Sequence, residues 1–452
     1  VADFHQPPTI PTLHRLNARR TRGLEAELYA WRGDRPIGLV LPALYAEFEH
    51  PAMGRIAREL SRARYLRRVV VALGPADFNQ YRRARGFFER FEVPVSCLRI
   101  AHPEIERLLR SLERAGFDVG RPGKGQTCWL ANGLLLAHDD TRIVAMHDCD
   151  IRRYSRSLLA YLCFPLASPD LDFEFAKGYY ARVRGRLFGR LTRLFVTPLV
   201  RALQDAGADT PLLRLIGDLR YSLSGEVAMS ATLARRLPVS TDWGLEIGTL
   251  ARASAAIPAS RMCQVEVTGL YEHKHKPVAA ADPAQGLHRM AVEVGAALLR
   301  ASPVSEQLRD RRWLRSLIHG YRATAFELAS RHRADAHLNA LRYDEKAERE
   351  AITVFSAALP QAAHAAAWAG RDAWLPSWHD VEQALPGTLA RLARVVEETD
   401  VLRPRSAIDM RPRRPAGPEA LTRNAGLRCS PPDVLTAAVS LASRRSSAAG
   451  PS

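Results

Sequence analysis

The sequence predicts an α/β fold, a doubly wound sheet followed by a helical C-terminal region. Three observations carry this expectation. Four short apolar runs, PIGLVLPALYAE (36–47), RRVVVALGPAD (67–77), PVSCLRI (94–100) and TRIVAMHD (141–148), have the pattern of buried parallel strands, three of them stopped by turn or acidic residues. The segments between them place apolar residues near helical spacing, as in HPAMGRIARELSRARYL, so that strands and helices alternate. From residue 301 to about 400 the alternation gives way to helical patterns alone.

Taken in order, residues 1–34 are polar, rich in Arg and Pro, and read as a partly ordered N-terminal arm. Residues 35–285 hold the α/β domain. Beyond the four strands, 155–167 and 190–204 read as helices, 172–184 as extended, RMCQVEVT (261–268) as a strand, and 286–300 as a helix. Residues 286–402 form a helical appendage, in which Leu389, Leu392, Val395 and Val396 make one apolar face of LARLARVVEET. Such a region packs on the α/β domain or pairs two subunits as a homodimer. Residues 403–452 are rich in Pro, Ala, Ser and Arg and read as a mostly disordered tail.

Composition narrows the function. A chain of 452 residues with 47% hydrophobic and 25% charged residues can bury a full core and a second, smaller unit. No apolar run reaches the roughly 18 residues of a membrane span; SLLAYLCFPLA (157–167) is short and interrupted by Pro165. The first residues lack the apolar core of a secretory signal, and the six cysteines form no CxxC pair, which fits a reducing cytoplasm. The net charge of +17 is spread over arginine patches without an RNP, zinc-finger or helix-turn-helix pattern, which argues against a dedicated nucleic-acid binder. Lysine is rare, at 124, 177, 274, 276 and 346 only, so these positions draw attention as places where a compact ammonium matters.

The stretch IVAMHDCDI (143–151) runs an apolar strand into two acids one residue apart. Residues two apart in an extended chain point to the same side, so Asp148 and Asp150 project together. Two hard oxygen donors suit Mg²⁺ or Mn²⁺, which take their other ligands from water and substrate phosphates, and a diphosphate is the natural substrate. RPGKG (121–125) opens the preceding helix; its glycines permit close backbone approach and Lys124 offers a charge to a phosphate. YEHKHK (271–276) places two imidazoles two apart after a strand, as metal ligands or plain surface histidines. In LSGE (223–226) and DWGLEIG (242–248), Glu226, Asp242 or Glu246 suits a sugar hydroxyl or, alternatively, a helix cap.

The ordered set LPALYAE, GKG, HDCDI, KGYYAR (177–182), GRLTRLFVTPLVRAL (189–203), LSGEVAM, DWGLEIG and GLYEHKHKP (269–277) resembles the retaining glycosyltransferases of the GT-A fold, and among them the glucosyl-3-phosphoglycerate synthases. The resemblance covers about residues 36–280. It implies a GT-A nucleotide-sugar-binding sheet, a donor such as UDP-glucose, a divalent cation (Mg²⁺ or Mn²⁺) and D-3-phosphoglycerate as acceptor. By motif position it places Pro42, Ala43, Leu44, Glu47, Lys124, Asp148 and Gly225 at the donor. The metal falls to Asp150, His273 and Asp148, with Asp150 the direct ligand of the pair. Gly189, Arg190, Thr192 and His275 fall at the acceptor, and Glu246, with Asp150 and Lys124, in the catalytic set. His275 stands where an Asn is usual.

Two segments depart from the family pattern. Tyr45-Ala46-Glu47 replaces Asn-Glu-Glu after Pro-Ala-Leu, and VALGPAD lacks the acid-Ser-Gly-Ser run, which leaves UDP and GDP both open. The rival expectations are a transferase of another sugar, such as mannose, or of another acceptor, and a basic binding protein on an inactive transferase fold. A nucleotidyltransferase would carry its glycine-rich signature after the first strand, where LPALYAE stands.

Overall fold

In the computed structural model the described residues are 9–17, 20–271, 286–368 and 374–402, all within one compact unit. The strands are β1 (Thr12–Leu13), β2 (Ile37–Ala43), β3 (Leu66–Leu73), β4 (Val95–Arg99), β5 (Ile143–Met146), β6 (Phe175–Ala181), β7 (Val227–Ser230), β8 (Val239–Ser240), β9 (Met262–Leu270), β10 (Trp374–Leu375) and β11 (Val401–Leu402). Nine of them form one sheet in the order β1-β9-β6-β7-β5-β2-β3-β4-β11, and β8 pairs with β10. Pairing is parallel through β5-β2-β3-β4 and along β1-β9-β6; β7 runs against both its neighbours and β11 against β4.

The four apolar runs become β2 to β5, which start within two residues of the runs and end within four. They are buried on both faces, as parallel strands between helical layers must be. In β2 the pleat sends Leu39 and Leu41 into one core and Val40 into the other. One face is covered by helices Thr21–Trp31, Pro51–Leu60 and Ser157–Ala167, the other by Pro103–Arg114 and Lys124–Leu136. A third core gathers Thr197–Asp205 with the long helices Gly286–Ala301, Arg311–Leu338 and Glu345–Trp368.

Two of the expected segments take definite places. The segment expected to be an arm carries β1 and a helix whose Leu24 and Leu28, one turn apart, are buried; the surrounding arginines mask that short apolar pair. The region expected to be an appendage is divided. Its helix Thr388–Asp400 packs Leu389, Leu392, Val395 and Val396 into the same core as Val70 and Leu98 of β3 and β4, so the apolar face is a layer of the α/β sandwich. Trp378 fixes the approach of this segment. Its indole stacks on that of Trp129 at 4.2 Å and donates to the Trp129 carbonyl at 2.9 Å, over Gly133, where a Cβ would lie 2.3 Å from the Trp378 ring. Residues 403–452, expected to be a disordered tail, lie outside the described residues. Among the described residues no helix is long and apolar enough to cross a membrane.

The chain steps from β2 to β3 and β4 on one side, then returns to place β5 on the other side of β2. Neighbouring loops therefore diverge at the carboxyl ends of β2 and β5 and leave a crevice, which is where open α/β sheets bind ligands.

Candidate active site

A cleft of about 1210 Å³ opens at this switch point. Its walls include Pro42, Ala43, Leu44, Glu47, Lys124, Asp148, Asp150, Gly189, Arg190, Gly225 and Glu246. Eleven positions proposed from motifs scattered over two hundred residues thus share one cavity. Pro42, Ala43 and Leu44 end β2, and with Gly74 and Pro75, just past the end of β3, they make one end of the cleft.

The acid pair follows β5. Cys149 is 3% exposed and packs in the core, whereas Asp148 and Asp150 on either side are half-buried and line the cleft. The alternation of an extended chain therefore continues past the last paired residue. Lys124 stands opposite, at the first turn of Lys124–Leu136. Its Nζ donates to Asp148 Oδ1 at 3.1 Å and to Glu246 Oε1 at 3.2 Å. Burial opposes its charge, but the two carboxylates outweigh burial and hold its pKa well above the usual lysine range. The Trp243 ring lies 6.0 Å from the ammonium.

Two glycines of these motifs make room for close neighbours. A Cβ at Gly125 would meet the Ser240 carbonyl oxygen at 2.1 Å, so this glycine lets the helix start seat against β8. A Cβ at Gly225 would lie 2.6 Å from Asp148 Oδ2, so Gly225 makes room for the acid. Gly225→Ala should therefore displace Asp148 and weaken donor and metal binding by about tenfold or more, with thermal stability nearly unchanged, in calorimetric titration.

Beneath the cleft, Lys177 donates from Nζ to the Ser224 carbonyl at 2.7 Å, and Ser224 Oγ donates to the Gly178 carbonyl at 2.6 Å, tying the LSGE loop to β6. Burial lowers the Lys177 pKa to about 8, against the pull of Glu246 and Glu226. Glu226 does not reach the cleft. It is fully buried and accepts from the hydroxyls of Tyr180 and Tyr271, each at 2.7 Å, whose rings stack at 3.6 Å. Burial, then the charge of Asp148, pushes its pKa up. Asp242 lines the cleft and closes the turn before helix Leu245–Ala256, accepting from the Gly244 N–H at 2.8 Å, but it does not cap that helix.

On the opposite wall Gly189 has φ of +74°, a conformation that suits glycine, and turns the chain into a helix that starts with Arg190 and passes through the π-turn Thr192–Val196. Arg190 faces the cleft. Thr192 does not line it: the turn rotates it inward to 7% exposure, and its Oγ1 has no hydrogen-bond partner among the described residues. His273 and His275 lie outside the described residues. Among the described residues no three metal-ligating side chains cluster. Arg182, donating to the Tyr221 hydroxyl at 2.6 Å, and Arg186 also line this wall. Arg182 ends the KGYYAR motif, but nothing marked its side chain as a cleft residue in a chain so rich in arginine.

No protein-family model matches the chain. The curated glucosyl-3-phosphoglycerate synthase of Persephonella marina is 39% identical over 399 residues, 88% of this chain and 99% of the relative. The chain belongs to the glucosyl-3-phosphoglycerate synthase family. It is a glycosyltransferase, and the motif set and α/β sheet are those of the GT-A fold. A synthase of the same name from Methanococcoides burtonii is 31% identical over 399 residues, 86% of this chain and 96% of the relative. Among solved structures, the Mycobacterium tuberculosis synthase in complex with Mn²⁺, UDP and phosphoglyceric acid is 25% identical, with a TM-score of 0.47 over 65% of this chain and 86% of that one. In this synthase family member the helix Gly286–Ala301 reaches the cleft as well: its Met290 and Glu293 line it, and Glu293 Oε2 accepts from the Trp243 backbone N–H at 3.0 Å.

Proposed function

We propose that the cleft moves glucose from a nucleotide diphosphate sugar, UDP-glucose, to D-3-phosphoglycerate with retention at the anomeric carbon, giving glucosyl-3-phosphoglycerate. The observation that carries this reading is the Lys124 ammonium held between Asp148 and Glu246 at the switch point of the sheet. The name of the relatives supports the choice of sugar and acceptor.

The donor set fits a divalent cation. Two carboxylates beside a diphosphate are what Mg²⁺ needs, since it takes its remaining ligands from water and phosphate. Asp150 and Asp148 would hold Mg²⁺ or Mn²⁺, with His273 as the expected third ligand. The bound ion would neutralise charge on the diphosphate. Lys124 does the same as a point charge as the bond from the anomeric carbon to the diphosphate breaks. Glu246, bonded to that ammonium, would meet the sugar. The acceptor hydroxyl enters on the leaving-group face; its oxygen bonds the anomeric carbon, and its proton goes to the departing diphosphate oxygen. No protein nucleophile is needed.

Arg190, with Gly189 allowing close approach, grips the acceptor's phosphate or carboxylate through paired N–H bonds. Arg190→Ala should raise the acceptor KM by about tenfold or more and leave the donor KM within about twofold, and Arg190→Lys should restore it only in part. An unchanged acceptor KM would remove the acceptor assignment. The Gly74-Pro75 wall, without the family's polar run, keeps a GDP-sugar in view as donor. Steady-state transfer to 3-phosphoglycerate from UDP- and GDP-glucose and -mannose decides it. The reaction calls for no nucleic acid and no membrane, and a cytoplasmic enzyme accords with the described cysteines, which are all buried and unpaired.

A further inference from the structure

Glu348 belongs to no motif considered so far. It sits in the first turn of Glu345–Trp368, 158 positions from Arg190, and is 4% exposed. Two guanidiniums share its carboxylate. Oε1 accepts from Arg190 Nε at 2.9 Å and from Arg193 Nη2 at 3.2 Å, and Oε2 accepts from Arg193 Nη1 at 3.0 Å. Arg193 Nε in turn donates to the Phe188 carbonyl at 2.8 Å, on the residue before Gly189. Carboxylate, second arginine and turn therefore brace one another.

Arg190 is held differently from Arg193. Arg193 engages Glu348 with both terminal nitrogens, side by side. Arg190 engages it through Nε alone, and among the described residues its side chain has no other ion pair or hydrogen bond. A guanidinium is planar and carries five N–H donors. A bond at Nε therefore sets the direction of the plane while keeping both terminal nitrogens for a ligand. Arg190 lines the cleft with its side chain 26% exposed, so that edge can meet an anion. The cluster also carries one more positive than negative charge, and a bound oxyanion would balance it.

We infer that Glu348 is a positioning residue for the acceptor: it orients Arg190 so that the terminal nitrogens of the guanidinium meet the acceptor's anionic group. The helical region then supplies part of the acceptor subsite from a distant segment of the chain. The inference rests on Arg190 binding the acceptor, and the experiment separates the two. Four proteins are compared, with acceptor KM measured under saturating donor and donor KM under saturating acceptor: Arg190→Ala, Glu348→Gln, Glu348→Asp and the double variant Arg190→Ala/Glu348→Gln.

Glu348→Gln keeps the shape and removes the charge, and it should raise the acceptor KM by about five- to tenfold while donor KM and kcat stay within about twofold. Glu348→Asp keeps the charge but withdraws it by one methylene, and should give a smaller change of the same kind even if the glutamine variant fails to fold. The double variant should have the acceptor KM of Arg190→Ala alone, because a residue that acts through Arg190 has nothing left to act on. An Arg190→Ala enzyme with normal acceptor KM sinks the acceptor assignment itself. If Arg190→Ala raises that KM but both Glu348 variants leave it unchanged, only the inference about Glu348 falls. It falls too if the Glu348 variants impair donor and acceptor equally, or if the double variant is additive, since those results describe a plain structural tie.

Discussion

Asp150→Asn should lower kcat by roughly three orders of magnitude with the fold intact, the size of loss that follows removal of a group stabilising charge in the transition state. The substitution is nearly isosteric, at a half-buried side chain on the cleft wall, so no cavity forms and no packing is lost. Only the negative charge and its affinity for a hard cation disappear. EDTA should abolish transfer to a similar extent, and added Mg²⁺ or Mn²⁺ should restore it in the parent protein but much less in the variant. Activity is read as product formed from UDP-glucose and 3-phosphoglycerate, with circular dichroism melts as the control for folding. Full turnover in chelator would exclude the metal from the mechanism.

Lys124→Met should cost about 10²- to 10⁴-fold in kcat, because the ammonium that meets the leaving diphosphate is gone. It should also leave Asp148 and Glu246 facing one another across the cleft with no cation between them. Donor binding is expected to weaken as two anions face a third. Lys124→Arg should rescue little. The site is shaped for a point charge 3.1 and 3.2 Å from its two partners, and a planar fork spreads its charge over a wider group. Calorimetric titration with UDP-glucose and single-turnover rates separate loss of binding from loss of chemistry. A variant with near-normal turnover would assign the lysine to structure.

Much of this site was legible in the sequence because its residues obey simple geometry. Asp148 and Asp150 follow a buried strand, and the rule that places alternate residues on one side holds through Cys149. Lys124 stood out because arginine does most of the basic work elsewhere. Other parts carry no local signature. Glu226 sits in a recognisable motif, yet nothing in its spacing says that the hydroxyls of Tyr180 and Tyr271 draw it into the core. Glu348 lies in the opening turn of a long amphipathic helix, where acidic residues are ordinary, and only the third core brings it to Arg190. The helix Thr388–Asp400 shows its apolar stripe plainly, but a stripe does not name the surface it covers. β1 and β11, two residues each, are too short to have a period at all.

Those two short strands bear on how the chain can be assembled. One edge of the nine-stranded sheet is closed where Thr12 and Leu13 pair with Gln264 and Val265, the other where Val401 and Leu402 pair with Ser96 and Val95. Each edge thus waits for a partner from far along the chain. While the protein is being made, the rim of β4 stays open until residue 402 has left the ribosome, and an open rim is a template for pairing with other chains. The sheet also places a limit on dissection. A fragment cut at the end of β9 would keep nearly every motif, yet would leave Val95 and Ser96 of β4 without their partners and strip the helix Thr388–Asp400 from the core behind it. Such a piece would be prone to self-association, even though it holds most of the catalytic set.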